Sequence, residues 1–124
     1  TLIFVALGGM AGALARHGAG VMCARLLGHG FPFATMMVNI VGSILMGVIV
    51  GYGINAGISY NMKIFLTVGL LGAFTTFSTF SLDAVALLQK GDYVQGGVYI
   101  FSSVIFGILG LIGGISIGRM AGAL

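Results

Sequence analysis

Polar positions are so sparse that they divide the chain into four long apolar segments. The first runs from Leu2 to about Leu27, holds Arg16 and His17 in its interior, and stops at Gly28-His29-Gly30-Phe31-Pro32. The second, from roughly Phe33 to Ile54, has one strongly polar interior residue, Asn39. A turn-prone link follows from Gly53 through Asn61, with Asn55, Gly57 and Ser59 in it. The third segment begins near Lys63 and reaches Gln89 or Lys90, longer than one uninterrupted span requires. After Lys90-Gly91-Asp92-Tyr93, a fourth runs from about Val94 to Ile117, ends at Arg119, and carries Tyr99, Ser102, Ser103 and Ser116. A spanning helix takes roughly 20 apolar residues, so the pattern predicts an all-α membrane protein with four transmembrane helices forming one domain over 1–124.

The third segment reads differently from the others between Gly69 and Ser81, where the seven residues Thr75 to Ser81 hold five hydroxyls and two phenylalanines. In lipid every backbone donor and acceptor needs a partner, so a glycine- and hydroxyl-dense interruption predicts a helix broken near its middle and sheltered there by protein. If helix resumes after Thr75, Phe77 and Phe80 share one face, and Ser78 and Ser81 the next. An all-apolar face would be ordinary packing. Aromatic rings, however, carry positive edges, so two rings presented edge-on beside hydroxyls such as those of Ser78 and Thr79 suit a small desolvated anion. The break has the opposite polarity: unwound carbonyls at Gly72 and Thr75 suit a small hard cation. With a symmetric second copy, four carbonyls would be enough to hold one Na+ ion.

Composition sharpens the class. At 59% hydrophobic and 6% charged residues, with a mean hydropathy of +1.19, the chain is excluded from soluble domains. The first apolar run is too long for the core of a signal peptide. Its 23 glycines fall inside apolar runs, at spacings such as Gly47 and Gly51 or Gly114 and Gly118, where small residues let helix backbones approach in lipid. One cysteine, Cys23, excludes an intrachain disulfide and a multi-cysteine metal site, and reads as a small buried apolar residue. Two histidines without a nucleophile or a third ligand make an enzyme remote.

Charge bears on three questions. The formal +3 is spread over five basic residues with no cluster, which excludes nucleic acid as a partner. Arg16 lies ~21 Å beyond Leu2 at ~1.5 Å per residue, within a hydrocarbon core of ~30 Å. It either snorkels to the headgroups or faces a wet vestibule that attracts anions. Asn39 is likewise helix-to-helix glue or an amide at the edge of a polar path. Asp83, about two turns before Lys90, is expected near an interface. Orientation is undetermined, because Lys63 and Arg119 on one side balance Arg25 and Lys90 on the other. A chain without charge bias inserts both ways and pairs antiparallel; the alternative is a deciding charge before Thr1.

Gly72, the Thr75–Ser81 run, Arg16 in a glycine-rich first helix and Asn39 in the second together resemble the small fluoride channels of the CrcB or Fluc family. The resemblance covers nearly the whole chain. It implies a dual-topology antiparallel homodimer in the cell (inner) membrane, with lipid around it and two pores. Fluoride would pass through them passively and selectively, lowering its cytoplasmic level. Phe77 and Phe80 match the family's pore phenylalanines, with Ser78 and Thr79 beside them. Asn39 matches its pore-side amide, and Tyr99 and Ser103 match the start of a polar track. Gly72 and Thr75 match the carbonyls that hold a central Na+ at the dimer axis, and Arg16 the first-helix arginine, assigned here to a vestibule. There are departures. Ala73 stands where many members have a second glycine, and Gly107 and Leu111 stand where the track would continue, with Ser102 or water expected to substitute. The rival readings are a small dual-topology proton-coupled exporter and a membrane scaffold.

Overall fold

A computed structural model describes all residues 1–124. Helix α1 covers Leu2–Leu27 and α2 Phe33–Asn55. The third span is composite: α3 (Tyr60–Ile64), a π-helical stretch Phe65–Leu71, α4 (Gly72–Phe74) and α5 (Phe77–Gln89) follow one another. Helix α6 covers Tyr93–Ala123. All four spans, of 26, 23, 30 and 31 residues, are long and apolar enough to cross a bilayer, so the chain is a multi-pass membrane protein. The fourth span outruns its expected end. Arg119 lies inside α6, and its carbonyl accepts a 3.0 Å hydrogen bond from Asn55 Nδ2, tying the last turns of α2 and α6 together.

The links are closed by glycine where the backbone must turn left-handed. Gly28 (φ 75°) ends α1. Gly91 (φ 83°) ends α5 in a Schellman turn: Asp92 N–H donates to Leu87 O at 3.0 Å and Gly91 N–H to Leu88 O at 3.1 Å. Only these two residues adopt positive φ.

Only 17 of 124 residues are buried, which fits a chain whose apolar side chains face lipid and whose contacts run backbone to backbone. The α2–α6 pair shows this best. A Cβ on Gly47 would strike Leu111 O, one on Gly51 Ile115 O, one on Gly114 Ile44 O and one on Gly118 Val48 O. Glycines thus interlock from both sides, and close dispersion contact replaces the absent hydrophobic drive. Helix α1 meets the third span in the same manner: a Cβ on Gly8 would lie 2.8 Å from Leu70 N, and one on Gly12 would strike Leu70 O. The polar residues of α2 and α6 are therefore held in a fixed register.

Gly118→Ala should lower thermal stability in detergent by about 1–3 kcal/mol, the usual cost of overpacking, because the obstacle is backbone at Val48 and Tyr52. Gly113→Ala, with nothing within 4 Å of the added methyl, should leave the melting midpoint unchanged; equal effects of the two would refute the interlock.

Candidate functional site

The break falls where the hydroxyl run begins. Thr75 (φ −86°, ψ 159°) and Thr76 (φ −152°, ψ 122°) are extended, so the ladder of the third span is interrupted in mid-membrane. Asn39 repairs it: Nδ2 donates to Thr76 O at 2.9 Å, and Thr76 N–H donates to Oδ1 at 2.7 Å. One side-chain amide thereby stands in for a peptide partner on both sides of Thr76. The Thr76 hydroxyl then caps α5, accepting from Thr79 N–H at 3.2 Å. On the other flank Thr75 Oγ1 donates back to Leu71 O at 2.9 Å, and Gly42 leaves room for the Thr75 methyl.

These bonds have a second result. In an unbroken helix the Gly72 carbonyl would accept from Thr76 N–H, and the Thr75 carbonyl from Thr79 N–H. Both donors are diverted, to Asn39 and to the Thr76 hydroxyl. The two carbonyls singled out in the sequence are thus among those that lose their helical donors at the break. No cluster of three His, Cys, Asp or Glu exists, so a hard cation here would rest on carbonyl oxygen.

Two cavities flank the break, and Thr76 lines both. One, about 480 Å³, is lined by Arg16, His17, Thr35, Thr76 and Thr79 among others. Arg16 borders this cavity. The other, about 280 Å³, is lined by Asn39, Ser43, Thr75, Thr76 and Phe77, with Leu111 at its wall. Beyond Thr76 an aromatic row begins. The rings of Phe77 and Phe80 lie 5.8 Å apart at 46°, and Phe80 lies 5.2 Å from Tyr99, which Phe31 meets edge-on at 5.6 Å. Phe77 itself is 79% exposed, and Ser78 is exposed beside it, its Oγ 3.4 Å from Thr76 Oγ1.

The row leads to Asp83, whose Oδ2 accepts from Thr35 Oγ1 at 2.7 Å and from Tyr99 OH at 3.2 Å. Tyr99 is completely buried. Ser103, one turn further along α6, is buried with no hydrogen-bond partner for its Oγ, and the same holds for Arg16 Nε. No other buried side-chain polar atom is left unpartnered, and both belong to residues picked out in the sequence.

Thr35, Ser43 and Asp83 complete the site without having a local signature. They follow from spacing. Thr35, Asn39 and Ser43 step by four along α2, as do Tyr99, Ser103 and Gly107 along α6, and Asp83 is three residues after Phe80. The two stripes face each other, and a Cβ on Gly107 would lie 3.8 Å from Ser43 Oγ. Ser43 of the facing helix is thus a hydroxyl that lies beside Gly107.

A family model described as CrcB-like protein, Camphor Resistance (CrcB), matches residues 3–115. The chain belongs to the CrcB family. Among its CrcB relatives, Fluoride-specific ion channel FluC 1 of Nitrobacter hamburgensis is 42% identical over 120 residues, covering 96% of this chain and 95% of the relative. Fluoride-specific ion channel FluC of Methylobacterium sp. is 46% identical over 112 residues, covering 90% and 89%. That of Agrobacterium fabrum is 43% identical over 121 residues, covering 95% of each chain. In this CrcB chain, the second-helix asparagine and the hydroxyl run that carried the resemblance are thus bonded to each other.

Asn39→Ala should cost about 1–3 kcal/mol, because a part-buried donor and a part-buried acceptor of Thr76 lose their partner together. Amide hydrogen exchange at Thr76 should accelerate in step. Stability and exchange both at wild-type level would show that the break does not depend on this amide.

Proposed function

We infer that the chain is a fluoride channel, and the observation that carries this is the pair of buried donors, Arg16 Nε and Ser103 Oγ, that find no acceptor within the chain. Unpaired buried donors are costly; along a polar route they are what an anion stripped of water requires. The names of the CrcB relatives supply the ion. Fluoride is the smallest halide and the strongest hydrogen-bond acceptor among them, so it gains most from hydroxyl and amide donors in a narrow path and loses most where they are missing.

The ion gathers in the cavity beside Arg16, exchanges water for the hydroxyls of Thr79 and Ser78, and passes the edges of Phe77 and Phe80 toward Tyr99 and Ser103. Asn39, whose amide holds Thr76, lines the neighbouring cavity together with Phe77. Transport is passive. An inside-negative potential is worth ~2.3 kcal/mol per charge per 100 mV, enough to expel fluoride that entered as neutral HF and ionised. The rival proton-coupled exporter would have to use Asp83, the one acid within a span, which is already engaged as the acceptor of two hydroxyls.

The working unit in this reading is an antiparallel homodimer with two pores and both orientations in the membrane. Balanced basic residues support it, as does the exposed Phe77 ring beside the break. The carbonyls of Gly72 and Thr75, two per chain, would meet their counterparts across the axis and hold one Na+, whose role there is to neutralise four convergent dipoles.

Proteoliposomes loaded with fluoride or chloride, with the potential collapsed by an ionophore, test the reading. Fluoride should leave, chloride should stay, and no proton gradient should be needed; proton-dependent release would replace the channel with an exporter. Phe80→Ile should slow release roughly fivefold, the ~1 kcal/mol of a ring-edge contact, with assembly intact. Orientation is best read from a cysteine introduced at Asn61 in a Cys23→Ala background, since Cys23 is buried. Labelling of about half the molecules from one side is expected, and complete one-sided labelling would exclude dual topology.

A further inference from the structure

Asp83 joins the aromatic row to a third, smaller opening. Besides accepting from Thr35 and Tyr99, it lines a crevice of about 90 Å³ together with His29, Pro32 and Lys90. His29 comes from the α1–α2 link and Lys90 from the end of α5, so two separate parts of the chain bring a basic side chain to one small space. Both residues are exposed. An anion passing here meets the Asp83 carboxylate and the negative end of the α5 dipole, each of which repels it. Lys90 is the C-cap residue of α5, and the Gly91 turn that follows fixes its backbone.

We propose that the crevice lined by His29, Asp83 and Lys90 is the mouth of the anion path at this end of the chain, with Lys90 offsetting the repulsion of Asp83 and drawing the anion in. This rests on the channel reading. Electrostatic focusing in a mouth acts on the rate of entry and is erased by salt. A merely structural lysine at a helix end would affect stability and would not produce that salt dependence in flux.

The test is fluoride efflux from proteoliposomes carrying Lys90→Gln, Lys90→Arg or Lys63→Gln, the last altering a lysine that does not line the crevice. Flux is compared at ~0.01 M ionic strength, where the screening length is ~30 Å, and at ~1 M, where it is ~3 Å, using salts of impermeant ions. Lys90→Gln should slow fluoride about two- to threefold at low ionic strength, as expected for one charge acting across several ångströms of water, and match wild type at high. Lys90→Arg and Lys63→Gln should track wild type throughout. Wild-type flux from Lys90→Gln at low salt, or a slowing that persists at high salt, would overturn the assignment. A wild-type protein that releases no fluoride would instead sink the channel reading, and this inference with it.

Discussion

Lipid offers no partner to a backbone that leaves helical geometry, and the whole molecule is arranged around meeting that demand at Thr76. Two extended residues in mid-span are tolerable because Asn39 returns both bonds that Thr76 loses. That requirement fixes the height and rotation of α2 against the third span, since a carboxamide satisfies a donor and an acceptor together only at one register. Gly42, three residues on, clears the space for the Thr75 side chain. Once α2 is set, its glycines set α6, because Gly47 and Gly51 interlock with α6 backbone. The polar stripes of α2 and α6 come to face each other as a consequence.

The same economy produces the chemistry. Diverting two N–H groups to side chains satisfies the break and frees the carbonyls of Gly72 and Thr75 in one step. Starting α5 afresh at Phe77 gives the aromatic row a new helical phase, which carries it to Tyr99 and Asp83. Opposite polarities thus sit on the two flanks of a single interruption: acceptors on the side of α4, donors and ring edges on the side of α5. A continuous helix would have consumed both sets in its own ladder.

Much of this was legible in the sequence because membrane spans announce themselves by length and apolarity, and because a hydroxyl run in lipid has few explanations. The four spans, the position of the break and the importance of Asn39 all follow from that. The partner of Asn39 does not. Helix glue and pathway amide were both open, and the structure has it bonded to the backbone of the break itself. Asp83, placed near an interface by counting from Lys90, turned out to be the acceptor for Thr35 and Tyr99. That grouping needs three helices at a known rotation, which nothing in a near-uniform apolar pattern specifies. Ser43 was hidden for the same reason, since its place beside Gly107 depends on what the opposite helix presents there.

The π-helical stretch Phe65–Leu71 lies one short helical turn, α4, before the break and against the glycine face of α1. A π turn contains one residue more than an α turn. The third span therefore carries slack at this point, and loss of one residue between Phe65 and Leu71 can be taken up by tightening to α geometry while Thr75 and Thr76 keep their place. The third span can therefore absorb a one-residue change of length here but not after Gly72, where any shift would pull Thr76 out of reach of Asn39.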